Sequence, residues 1–263
     1  MNYFIGWDVG GWHCDTNPNS RDAITIIDDQ RNMVGTPWRG NLRSTINEAQ
    51  TSEGFITRLF ELCNVDYPAL KAGNVVLAID TPLGFSHAFV NLVVNKQFET
   101  QIKTSASNVY LYRYTERFLF EMGLKPLSPI KDMIGSQATK GMHVLAKFAP
   151  HIKCCGVWSD GAQLLALEAY PSACKGSKTV ENLLRPFVLN ANKQPREFVS
   201  ELNHADKSDA LICALVGWLQ HHQPETIIQP TNEALNKEGW IFVPLDGLSL
   251  SPKNSFKSNK API

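Results

Sequence analysis

Two apolar runs in this chain end in the same way, and that shared ending restricts the folds open to it. Residues 3–8, YFIGWD, are bulky and mostly β-favouring, and they close on Asp8 followed by Val9, Gly10 and Gly11. Residues 74–80, NVVLAID, form a continuous apolar run that closes on Asp80 and is then broken by Pro82 and Gly84. Each reads as a buried strand that delivers a carboxylate to its C-terminal end. Taken singly, either aspartate is equally a turn former, because Asp and Gly dominate turns. If the two strands are neighbours, both carboxylates emerge at corresponding ends of one sheet.

The remaining segments suit such a sheet. Apolar runs at 22–28 and 32–36, split by DDQR, predict an antiparallel hairpin continuing from the first strand. Ile56, Leu59, Phe60 and Cys63 fall at helical spacing and predict a helix over about 47–64. Residues 85–150 read as mostly helical, most clearly in YLYRYTERFLFEMG and SQATKGMHVLAKF. QLLALEAYP, at 163–171, is a further apolar run with one acid, Glu168. NKQPREFVSEL and DKSDALICALVGWLQHH read as helices, and GWIFVP at 239–244 as a last short strand. This order predicts an α/β fold: a mixed sheet, antiparallel in its first three strands and parallel afterwards, flanked by helices. It is expected to be one domain over residues 1–250 with a mostly helical insertion at about 85–150, and residues 251–263 are expected to be a disordered tail.

Composition narrows the function classes. A chain of 263 residues that is 43% hydrophobic and 19% charged can bury a real core. Lys and Arg together number 25, as do Asp and Glu, which weakens the case for bulk electrostatic attraction to nucleic acid and leaves a local patch or a bound cation to supply it. No uninterrupted apolar run approaches the ~18 residues of a membrane span, and the apolar start lacks the basic region of a signal peptide. The six cysteines (Cys14, Cys63, Cys154, Cys155, Cys174 and Cys213) form no C-x-x-C pair, which argues against a zinc site or disulfide framework. Reduced thiols and a cytoplasmic location are the expectation.

Three further acids join the two strand-end aspartates. Asp206 and Asp209 lie three residues apart, so on a helix they share a face about one turn apart. Helix capping explains Asp206 as well as a site does. Asp209 sits beside a small-residue stripe of Ala210, Ala214 and Gly217, which suggests close packing nearby. Glu168 reads either as a strand-end surface residue or as a member of the same cluster. Clustered carboxylates repel unless a cation joins them, and Mg²⁺ or Mn²⁺ is the usual oxygen-loving partner. Two such ions support phosphodiester hydrolysis. Asp8, Asp80, Glu168, Asp206 and Asp209 are therefore the candidate catalytic residues, with Asp8, Asp80, Asp206 and Asp209 as metal ligands. Arg113 and Arg117, one helical turn apart and followed by Lys131 and Lys140, are candidate binders of a substrate phosphate. The alternative is a surface salt-bridge face with Glu116 and Glu121. His13 and His204 flank the acidic segments in sequence and stay outside the candidate set.

The strings GWDVGG, VVLAIDTPLG, LEAYPSA, DKSDALICAL and EGWIFVP, in that order, resemble the DUF429 family of predicted nucleases, within the ribonuclease H-like superfamily. The resemblance runs across most of the chain and implies one acid on the first strand, one on the strand after the first helix, and one or two on a late helix. Asp8, Asp80, Asp206 and Asp209 occupy those places. The D-x-x-D-A helix is similar to that of Holliday-junction resolvases. A metal-dependent nuclease acting on nucleic acid or a nucleotide is thus the expected function. Two alternatives stay open. An ATP-binding phosphotransferase of actin or sugar-kinase type matches D-V-G-G weakly and lacks the internal repeat of that class. A binding module without catalysis is the other.

Overall fold

The structure, a computed structural model, describes residues 1–67, 73–188 and 201–248. β1 (Tyr3–Asp8), β2 (Asp22–Asp28) and β3 (Trp38–Gly40) form an antiparallel set. Two helices follow, α1 (Arg43–Glu48) and α2 (Ser52–Leu62), and then β4 (Val75–Asp80). Next come α3 (His87–Asn95), α4 (Tyr114–Glu121) and α5 (Gly135–Phe148), and the hairpin β5 (His151–Cys154) and β6 (Val157–Ser159). β7 (Leu164–Ala169), α6 (Pro171–Cys174), α7 (Lys178–Val188), α8 (Ala205–His222) and β8 (Ile241–Phe242) complete the order. One eight-stranded sheet results, ordered β3-β2-β1-β4-β7-β6-β5, with β8 paired to β7. β1, β4 and β7 run parallel at its centre, as the continuous apolar runs require.

The expected mixed sheet is present, with three differences in detail. The third strand lies at 38–40 rather than 32–36. Gly35, at φ +70°, turns the chain out of the sheet, and the Thr36 N–H donates to the Cys63 carbonyl at 2.8 Å. Met33 forms a single bridge back to β2 at Ile27, flanked by the Val34 N–H donating to the Ile26 carbonyl at 2.9 Å. The expected helix over 47–64 is two helices, because Ala49 is extended and the Thr51 hydroxyl caps the second by accepting from the Gly54 N–H. The β5–β6 hairpin was not anticipated: β5 is exposed along its whole length, so no apolar alternation marks it. Most of NKQPREFVSEL and all of residues 251–263 lie outside the described residues.

Alternation along the central strands creates two cores. Phe4, Val76, Ala78 and Leu167 face α8, together with apolar residues of α4, α6 and α7. Ile5, Trp7, Leu77 and Ile79 face the other side, covered by Phe55, Phe60 and Phe148 from α2 and α5. Residues 85–150 are therefore not an appendage, since Val144, Leu145 and Phe148 of α5 belong to this second core. They are also helical only in separate pieces, α3, α4 and α5 and a 3₁₀ turn at Ser105–Ser107. Among the described residues, no helix is long and apolar enough to cross a membrane.

The approach of α8 to β1 is very close. A Cβ on Gly6 would lie 1.7 Å from the Ala210 carbonyl oxygen, so only glycine fits at that strand position. Gly217 lies against Phe4, and Ala210 and Ala214 lie against Gly6. The helix thus runs antiparallel to β1, and its N-terminal turn, with Asp206 and Asp209, stands over the C-terminal end of that strand.

Candidate active site

Asp8 and Asp80 are register partners on adjacent parallel strands. Neighbouring strands lie about 4.8 Å apart, so side chains at partnered positions project together from one face of the sheet. That face is the one covered by α8. Both residues are half-buried. Among the described residues, neither carboxylate receives a hydrogen bond or makes an ion pair.

Electrostatics follow from this arrangement. Burial, reinforced by Asp80, Asp206, Asp209 and Asp22, pushes the Asp8 carboxyl up to about 8. Burial, Asp209 and Glu168 push Asp80 up to about 7, against an opposing contribution from Lys175. The other two members of the group carry cations already. Asp206 accepts from the Arg39 Nε at 2.7 Å, and the imidazole Nδ1 of His204 lies 3.2 Å from its other oxygen. Asp209 pairs with the Lys175 Nζ at 3.0 Å. The N-terminus of α8 adds its partial positive charge, which favours the acids of its first turn.

The structure thus brings Asp8, Asp80, Asp206 and Asp209 into one electrostatic group. Among the described residues, however, no three His, Cys, Asp or Glu side chains come close enough to hold a single ion. The donor set that fits a divalent cation is the Asp8–Asp80 pair: two oxygen-donor carboxylates, register partners on adjacent strands and unpaired among the described residues. Mg²⁺ in proteins is commonly held by one or two carboxylates and completes its shell with water. Asp206 and Asp209 can join only by releasing Arg39 and Lys175.

Glu168 differs in kind. Its register partner on β4 is Ile79, not Asp80, so it emerges on the opposite face of the sheet. It is 2% exposed, and both oxygens are engaged. Arg113 donates to it through Nη1 at 2.8 Å and Nη2 at 2.7 Å, and the Leu83 N–H donates at 2.9 Å. A carboxylate so satisfied holds the loop after β4 in place and offers no free oxygen to an ion.

The candidate phosphate binders are corrected by the same network. Arg113 is fully buried; its Nε donates to Glu116 at 2.7 Å and its Nη1 to the Glu238 carbonyl at 3.0 Å. These acids hold its guanidinium protonated, with its pKa above the ordinary value despite burial. Arg113 is therefore the back support of the site and not its rim. Arg117 lies over the Tyr114 ring at 5.9 Å and donates to the Arg113 carbonyl at 3.4 Å, a packing role on α4. Lys140 is buried against Asp22 at 2.5 Å, while Lys131 pairs with Asp132 at the surface. Glu116 does partner Arg113, as the salt-bridge alternative held, but inside the protein.

Asp22 is the acid that sequence reasoning passed over. Its buried carboxylate accepts from the Trp7 indole and the Gly10 N–H, both at 3.0 Å, and from the Leu42 N–H at 2.8 Å. It thereby fixes the residues on either side of Asp8. Its cation, Lys140, is 118 residues away in sequence, so no local motif signals the pair.

No family model, no curated protein and no solved structure matches this chain.

Proposed function

We propose that this protein is a divalent-cation-dependent phosphodiester hydrolase, acting on nucleic acid or a nucleotide through a ribonuclease H-like arrangement of acids. The observation that carries the reading is the Asp8–Asp80 pair, adjacent in register and without a hydrogen bond or ion pair among the described residues. The resemblance to the DUF429 nucleases supports it, because the acids that the resemblance picks out are those around the α8 N-terminus. The position supports it too: ligands of open α/β sheets bind beyond the carboxyl ends of the parallel strands.

In this reading Asp8 and Asp80 would hold Mg²⁺ or Mn²⁺, and Asp209 and Asp206 would join them only in place of their pairs with Lys175 and Arg39. A bound divalent cation supplies Lewis acidity at a phosphoryl oxygen and lowers the pKa of water. The protein supplies the rest. Burial keeps the two carboxylates poorly solvated, so they favour a cation over water. Lys175 and Arg39 neutralise the helix acids, and a cation taking their place would leave both side chains within reach of a substrate phosphate. Glu168 and Asp22 act as positioning residues, holding the backbone beside Asp80 and Asp8. The phosphotransferase alternative rests on two duplicated lobes, whereas the described residues form one sheet.

The test is a cleavage screen of the purified protein with Mg²⁺ and with Mn²⁺, over single-stranded, duplex, hybrid and branched substrates. Cation-dependent cleavage that disappears in Asp8→Asn is the expected result. Stable binding of these ions by the wild type with no cleavage of any substrate would sink the hydrolase reading.

A further inference from the structure

α3 has an apolar sequence, HAFVNLVVN, yet none of its residues is buried. Among the described residues, no side chain from His87 to Leu111 is buried. This segment leaves and rejoins the body at one place. There the Ser86 hydroxyl donates to the Val109 carbonyl, and the His87 N–H donates to the Glu238 carboxylate at 2.7 Å. Ala88, Phe89 and Leu92 form a half-buried face of the helix. Val90, Val93 and Val94, at i, i+3 and i+4, form another face and are 40%, 53% and 69% exposed. Just past the helix, Phe98 and Ile102 are 76% and 49% exposed. Valine is a weak helix former, and a helix this short is marginal in water unless packing supports it. The N-terminus is capped, since the Ser86 hydroxyl accepts from the Phe89 N–H at 3.1 Å. A cap does not cover valines. A helix that is apolar on every side is normally an enclosed one.

We propose that the valine face of α3 is the contact through which two copies of this chain pair about a two-fold axis. The pairing does not depend on the hydrolase reading. Charge points to this occupant. α3 contains no Asp, Glu, Lys or Arg, so nothing in it repels a second copy and nothing selects a charged partner. Helices that lie on a lipid surface carry Lys or Arg on their polar face, and this one has neither. Beside the valines runs a polar ladder of His87, Asn91 and Asn95, each one turn from the next. The Asn91 Nδ2 lies 3.0 Å from the His87 Nε2, and the Asn95 Nδ2 donates to the Asn91 Oδ1 at 3.3 Å. A carboxamide both donates and accepts. Such a ladder can be met by its own copy, as a two-fold interface requires. Area agrees. Val90, Val93, Val94, Phe98 and Ile102 together expose roughly 500 Å², in the range of the largest apolar patch on a typical monomer. Two copies would cover about 1,000 Å², the lower bound of a specific interface and the size of a weak, reversible one.

Sedimentation velocity of the full chain, in EDTA and without substrate, tests the pairing. From about 1 to 200 µM the weight-average mass of the wild type is expected to rise from one chain towards two. Val94→Asp sets like charges against each other across the axis and should hold the chain monomeric over the whole range. Because Val94 lies in no core, the variant should melt with the wild type at the lowest concentration, where both are single chains. Val94→Ala keeps a good helix former and removes only apolar contact, so its dissociation constant should rise about tenfold. A wild type that stays monomeric throughout overturns the proposal, as does a Val94→Asp that pairs as the wild type does. A monomeric wild type that floats with phosphatidylcholine–phosphatidylglycerol vesicles overturns it too, and would make the face a lipid contact.

Discussion

Two groups of buried acids lie within the same sheet, and their partners separate them. Asp22 and Glu168 are 0% and 2% exposed, and each is saturated: Asp22 by Lys140 and three N–H donors, Glu168 by Arg113 and the Leu83 N–H. Asp8 and Asp80 are less deeply buried yet have no hydrogen-bond or ion-pair partner among the described residues. Burying a charge is tolerated when it is paired and hydrogen-bonded, and is costly otherwise. The saturated group therefore reads as framework, and the unsaturated pair reads as a place where something else binds. Residue type alone does not make this distinction, since both groups are carboxylates on or beside the same strands.

The contrast is sharpest in stability. Arg113→Met strands Glu168 and Glu116 without their cation in the core, and it should cost about 3–5 kcal/mol in denaturant unfolding. Lys140→Met should do the same through Asp22. A loss below about 1 kcal/mol for both would erase the difference between the groups.

Next in size is the response to metal. At about a hundredfold excess over Kd, a cation that binds only the folded state adds ~2.7 kcal/mol. Wild type with Mn²⁺ should show this gain over EDTA, and Asp8→Asn should lose most of it. An undiminished Mn²⁺ shift in Asp8→Asn would remove Asp8 from the site.

The pH dependence of the metal-free protein comes third. The ordinary value for these carboxyls is 3.8, whereas folding pushes Asp8 up to about 8 and Asp80 up to about 7. Between those limits the folded state holds more protons than the unfolded state, so this contribution to stability falls as pH rises from about 4 and levels off above about 8. Asp8→Asn removes one of the repelling charges. At pH 8 in EDTA it should be more stable than wild type by about 1–2 kcal/mol, or ~2–4 °C for each kcal/mol at this chain length. The two proteins should converge towards pH 4. A loss of stability in Asp8→Asn at pH 8 would assign Asp8 to the framework.

The smallest effect is expected at Lys175, whose side chain is 56% exposed. Lys175→Ala should change metal-free stability by less than about 1 kcal/mol, as exposed ion pairs do. It should also tighten Mn²⁺ binding in calorimetry, because a competing cation is removed from Asp209. Weaker Mn²⁺ binding would mean that Lys175 supports the site instead of occupying it.

Sequence alone determined the central strands and the position of their acids. Period and composition are local properties: β1, β4 and β7 are short apolar runs bounded by Gly or Pro, and α8 carries its acids one turn apart. The partnership of Asp8 with Asp80 was also within reach, because two runs ending alike in a parallel sheet align their ends. Whether a carboxylate is free or taken was decided only by tertiary structure. The cation of Asp22 lies 118 residues away, and Arg113 reaches Glu168 across 55 residues. Arg113 and Arg117 look equally exposed on a helical wheel, yet Arg113, the N-cap of α4, is fully buried and Arg117 packs on a tyrosine. A single-residue register difference sets Glu168 beside Ile79 and turns it away from the Asp8–Asp80 face. Pairing, register and enclosure depend on which distant segments meet, and no local pattern of residues encodes that.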